Sequence, residues 1–129
     1  MANANHSAER TTRRIRRTAR GIGAFVAAYC LVMGIGYGIA EPEPLALENV
    51  IMAVLISASV LGIFIGWRRE RASGTLLVIC AVAHSTFAFF AAGHSRGFAM
   101  LISGGPFLLI GALFLLAWRR SRSGALDAL

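Results

Sequence analysis

The chain has 129 residues, 57% of them hydrophobic, with a mean hydropathy of +0.66 and a formal net charge of +7. So apolar a sequence leaves no stretch from which to build a water-soluble core, and one compact helical domain is the bound on its architecture. All thirteen basic residues are arginine, and they flank apolar runs, so the positive charge does not argue for a nucleic-acid partner.

In chain order, residues 1–20 form a basic tail carrying Arg10, Arg13, Arg14, Arg16, Arg17 and Arg20. Its first part, up to Thr12, is polar and rich in small residues and is expected to be mobile. Four apolar runs follow, at about 21–40, 46–67, 74–92 and 97–118, and residues 119–129 form a second short tail. Each run is close to the ~20 residues with which a helix crosses ~30 Å of hydrocarbon. The connections are short, with Pro42 and Pro44 in the first, residues 68–73 the second, and the third turning near Ser95. Short connections force antiparallel neighbours, so the predicted fold is an all-α, polytopic, up-down-up-down bundle of four transmembrane helices.

Arginine is distributed unevenly between the two ends of this bundle. Beside the six in the first tail, Arg68, Arg69 and Arg71 follow the second run and Arg119, Arg120 and Arg122 follow the fourth, whereas the opposite ends carry Arg96 with Glu41, Glu43 and Glu48. This is the positive-inside pattern, and it predicts a cell inner-membrane protein with both termini and the middle loop in the cytoplasm. Trp67 and Trp118 stand where the second and fourth helices would leave the bilayer, at the headgroup level that indole favours. Arg13, Arg14, Arg16, Arg17, Arg68, Arg69, Arg71, Arg119, Arg120 and Arg122 are therefore the candidate contacts to anionic lipid headgroups.

Two local patterns invite sharper readings. Thr12-Arg13-Arg14-Ile15 before an apolar run resembles a twin-arginine signal, but three further spans follow, so topology-setting arginines are the better account. Gly34-Ile35-Gly36-Tyr37-Gly38 looks superficially like a potassium-channel filter, yet too few residues precede it for a spanning helix and a pore helix. Gly34 and Gly38 instead have small-xxx-small spacing, repeated by Gly62 and Gly66, which makes helices one and two candidate packing partners.

Counting ~1.5 Å per residue from the basic ends places Tyr29, Ser57, Ser59, His84 and Pro106 at one depth, near the midplane. Pro106 withholds a hydrogen bond from the Ile102 carbonyl, Gly104 and Gly105 loosen the same turn, and His84, Ser85 or Ser103 are candidates to satisfy the freed groups. Tyr29, Ser57, His84, Ser103 and Pro106 form the candidate binding layer. The stronger reading of His84 is a neutral residue gluing helices together, worth on average ~0.6 kcal/mol; the other is a proton relay or the base of a small binding site. No second histidine or carboxylate shares its depth, so neither a haem nor a metal is expected and no cofactor is implied. Cys30 and Cys80, inside apolar runs, read as small hydrophobes rather than a disulfide. Glu48, His94 and Arg96 share the other end, where an interfacial ion pair is expected. No nucleophile has a base at useful spacing, so the sequence does not read as an enzyme.

At Trp67-Arg68-Arg69-Glu70-Arg71 with Gly74-Thr75-Leu76-Leu77, and at Pro106 to Phe114 ending in Trp118, the chain resembles small four-helix prokaryotic membrane proteins grouped as a domain of unknown function. The resemblance covers roughly residues 50–118 and implies topology without an activity. Small multidrug transporters are similar in size and span count, but the glutamate they carry in helix one has no counterpart here. The resulting expectation is a non-enzymatic accessory or assembly protein, its partners being the bilayer, anionic lipids and either a second copy of itself or another membrane protein. The alternative is a small transporter or channel using the layer around His84 and Pro106.

Overall fold

A helix is the simplest way for an apolar segment to satisfy every backbone amide and carbonyl without water, and the apolar runs of this chain all take it. The computed structural model describes residues 2–40 and 47–126, which form α1 (Ala2–Ala40), α2 (Leu47–Ile65), α3 (Glu70–Ala91) and α4 (Arg96–Leu126), with no strand among the described residues. All four helices are long and apolar enough to cross a membrane.

Helices α1 and α4 outrun their apolar runs. With 39 residues, α1 is about 58 Å long at ~1.5 Å per residue, well beyond the ~30 Å of a hydrocarbon core. The segment expected to be a mobile tail is helical: Thr11 and Thr12 donate their hydroxyls back to the Ser7 and Ala8 carbonyls. Alanine and arginine are strong helix formers, and a helix already nucleated in the apolar run propagates into them without a new nucleation cost. Likewise α3 starts at Glu70 rather than near residue 74. The second connection is accordingly only residues 66–69, closed by Trp67 N–H to the Phe64 carbonyl (3.2 Å) and by the Arg68 and Arg69 amides to the Ile65 carbonyl (3.0 and 2.8 Å). The third turns at Ser95, which has φ 59° and whose carbonyl accepts from the Phe98 and Ala99 amides. Pro42, Pro44 and the acids Glu41 and Glu43 of the first connection lie outside the described residues.

Every sequential pair is antiparallel, as facing residues show. Ser73 lies against Gly66, and Leu77 against Gly62, between α3 and α2; Gly111 faces Gly74, and Gly104 faces Ser85, between α4 and α3; Gly23 of α1 meets Ile63 of α2 and Ile110 of α4. Of these sequential pairs, the interface of α3 with α4 is the most extensive and that of α1 with α2 the least. Phe114, Ile110, Leu77, Ile63 and Ala19 fill the centre. The exterior is as apolar as the core, with Phe25, Val32, Leu61, Ile79, Phe90 and Leu101 all exposed. At most 28% of each helix's most apolar window is buried within the bundle, so most of its apolar surface is turned outward, far more than a monomer in water tolerates.

The glycines that bring the helices together are partly different from those expected. Gly62 and Gly66 are buried, but they pack on α3 and α4: a Cβ on Gly66 would lie 2.6 Å from both Phe114 Cζ and Ser73 Oγ. Gly34 has nothing within 4 Å of the position a Cβ would take, and the surroundings of Gly38 lie outside the described residues. The face of α1 that does pack is Ala19, Gly23 and Ala27, all buried, a small-residue ladder with the same four-residue spacing placed about three to four turns nearer the basic end. Cys30 still packs against the core, and residues 31–36 beyond it are exposed.

Candidate functional site

Antiparallel pairing brings the first half of α1, the 66–69 turn and the last turns of α4 to one end of the bundle, and with them twelve of the thirteen arginines. Arg16 forms an ion pair with Glu70, its Nη2 donating to Glu70 Oε2 at 3.1 Å and to Ser121 Oγ at 3.4 Å. That contact joins α1, α3 and α4, so Arg16, expected as a headgroup contact, also links three helices. Glu70 is 12% exposed and stands in the first turn of α3, where the helix dipole favours an anion. One turn along α1, Arg20 Nη2 donates to the Trp67 carbonyl (3.0 Å), closing α1 onto the end of α2, while its Nε is buried without a partner. Arg71 and Arg122 both lie over the Trp118 ring, 5.0 and 5.4 Å from its centroid, in cation–π range.

These groups surround an open cleft of ≈980 Å³, lined by Arg16, Arg20, Arg68, Arg69 and Arg71, by Trp67 and Trp118, and deeper along α3 by Leu76 and Ile79. The other expected headgroup arginines, Arg13, Arg14, Arg17, Arg119, Arg120 and Arg122, are exposed around this end without lining the cleft. Sequence reading missed Arg20 and Glu70. Both had a signal: Arg20 follows Arg16 by one helical turn, on the side of the Ala19 and Gly23 face, and Glu70 is the acid set among Arg68, Arg69 and Arg71.

The midplane layer assembles only in part. His84 is 3% exposed and meets Phe107 edge to face at 4.8 Å, one residue from Pro106. Across the same contact Ser85 Oγ donates to the Met100 carbonyl (3.2 Å) and Ser103 Oγ to the His84 carbonyl (3.4 Å). The two serines thus tie α3 and α4 together reciprocally, and neither bond goes to the Ile102 carbonyl that Pro106 leaves free. The His84 Nδ1 is buried without a partner. Tyr29 is 57% exposed and Ser57, also exposed, returns its hydroxyl to the Ala53 carbonyl of its own helix. Both are exposed, so neither joins the buried His84. Ser59 is the buried serine of α2, and it too bonds its own helix, at the Leu55 carbonyl.

At the opposite end Arg96 lies over the Phe89 ring (5.2 Å) and donates from Nε to the Ala92 carbonyl, in place of the expected pairing with Glu48. Cys30 and Cys80 are both free thiols, and no group of three metal-ligating side chains occurs among the described residues.

No curated protein and no solved structure matches the chain. A family does, over residues 8–125, which takes in α2, α3, nearly all of α1 and α4, and the arginine-rich 66–69 turn. The chain belongs to the family described as Domain of unknown function (DUF7670).

Proposed function

We propose that this chain is a multi-pass protein of the cell inner membrane, its arginine-rich end in the cytoplasm, acting without catalysis as an accessory or assembly protein through helix contacts and anionic lipid. The observation that carries this reading is the gathering of twelve arginines at one end of a bundle whose outer surface is apolar. Cationic side chains next to an apolar belt meet the headgroups of the adjoining leaflet, each with an attraction of ~1 kcal/mol near an anionic surface. The buried Ser59 and Ser73 and the half-buried Ser85 and Ser103 do not favour a nucleophile, since all four donate to main-chain carbonyls.

One observation favours the alternative of a small transporter or channel, namely the unpartnered Nδ1 of buried His84. Against it, Tyr29 and Ser57 face away from that residue, and Gly104 packs so tightly on the Ala81 carbonyl and Ser85 that no opening separates α3 from α4 there. Purification of the tagged chain from native membranes in mild detergent distinguishes the two. The accessory reading expects a stoichiometric membrane-protein partner; a homo-oligomer whose melting temperature rises with one added solute would support transport.

A further inference from the structure

The cleft at the arginine-rich end is polarised along the bundle axis. Its mouth is cationic: Glu70 offsets Arg16, and among the described residues no other acid pairs with Arg20, Arg68, Arg69 or Arg71. Its inner part runs along α3 to Leu76 and Ile79, and Ile79 is 60% exposed. Trp67 and Trp118 also line the cleft, and indole favours the headgroup level of a membrane. Arg20 is held at the cleft wall by its Nη2 bond to the Trp67 carbonyl, and guanidinium groups hold phosphate oxygens through paired, charge-assisted hydrogen bonds.

We infer that this cleft is a discrete site for one anionic phospholipid, its phosphate among Arg20, Arg68, Arg69 and Arg71 and the start of an acyl chain along Leu76 and Ile79. A volume of ≈980 Å³ is far more than a lone phosphate ion fills, and the apolar inner wall gives such an ion nothing to bind. The site deepens the anionic-lipid reading proposed above and rests on it: that reading needs only a diffuse positive surface, whereas this one needs a saturable place.

Both tryptophans of the chain line the cleft, so a lipid carrying bromine on its acyl chains reports occupancy by quenching their fluorescence. The full chain in neutral detergent is titrated with brominated phosphatidylglycerol and, separately, brominated phosphatidylcholine. Saturable quenching is expected at a concentration about tenfold lower for phosphatidylglycerol, the effect of one or two charge-assisted contacts. Arg68 and Arg69 are exposed on a turn, so Arg68→Gln with Arg69→Gln leaves the fold in place, and this pair is expected to abolish most of the preference. Arg119→Gln with Arg120→Gln removes the same charge from the same end outside the cleft and is expected to reduce it by a clearly smaller factor. Equal losses in the two pairs would overturn the discrete site while leaving the diffuse reading standing; no preference in the unaltered chain would overturn both. Millimolar inorganic phosphate is expected to leave the quenching unchanged, and its displacing the lipid would overturn the assignment of a lipid as occupant.

Discussion

Gly104 shows how a single hydrogen atom in place of a methyl sets the distance between two helices. A Cβ there would lie 2.6 Å from the Ala81 carbonyl oxygen and 2.0 Å from Ser85 Oγ; the serine can turn away, but the carbonyl belongs to the backbone of α3 and cannot. Gly104→Ala is therefore expected to lower stability in detergent by about 1–3 kcal/mol, the usual cost of overpacking, whereas Gly34→Ala, with open space around it, should be neutral or slightly stabilising through better helix propensity. Thermal unfolding of the two variants side by side checks the contrast. His84 is a different case. Replacing it by leucine removes a buried nitrogen with no partner, a gain, and an edge-to-face contact with Phe107 worth about 0.5–1.5 kcal/mol, a loss. These offset, so His84→Leu should stay within about 1 kcal/mol of the parent in the same assay. A much larger loss would mean that the imidazole makes a bond the structure does not contain. The depth of His84 was legible in the sequence because rise per residue is nearly constant. The outward turn of Tyr29 and Ser57 was not, because which way a membrane helix faces cannot be read from hydropathy when the inside and outside of the bundle are equally apolar.

At the scale of elements, the helices and their turns follow from the sequence because apolar runs of membrane length permit little else, and the turn at Ser95 falls where the run breaks. The packing faces were harder. Gly34 with Gly38, and Ala19 with Gly23 and Ala27, carry the same small-residue spacing, and only the position of α2 and α4 opposite α1 decides that the second set is used. The helical extension of α1 was hidden because its polar composition fits a solvated tail equally well until it is joined to a preformed helix. The tie between these elements is open to a direct test. Arg16 holds Glu70 across α1 and α3 with the pair partly exposed, so Glu70→Gln should cost about 0.2–1 kcal/mol, as surface pairs do. In a double-mutant cycle with Arg16→Gln the second substitution should add little once the first is made. Strict additivity of the two in thermal unfolding would show that the pair does not couple the helices.

For the whole molecule, the informative quantity is the separation of charge along the bundle axis. Four antiparallel helices place the beginning of α1, the 66–69 turn with the start of α3, and the end of α4 together, and the arginines sit at those three places, leaving Arg96 at the other end. Orientation follows if the chain is inserted by the rule that retains arginine-rich segments in the cytoplasm, and the lipid contacts proposed for this end follow from orientation, since the cytoplasmic leaflet is the anionic one. The most direct measurement is labelling of single cysteines by a membrane-impermeant maleimide, in a chain with Cys30 and Cys80 replaced by alanine. With His94→Cys, in the exposed turn between α3 and α4, labelling is expected in intact cells. With Ser123→Cys, at the exposed end of α4, it is expected only after the membrane is permeabilised. The reverse pattern, or labelling of both positions in intact cells, would contradict a four-span protein with its arginine-rich end in the cytoplasm.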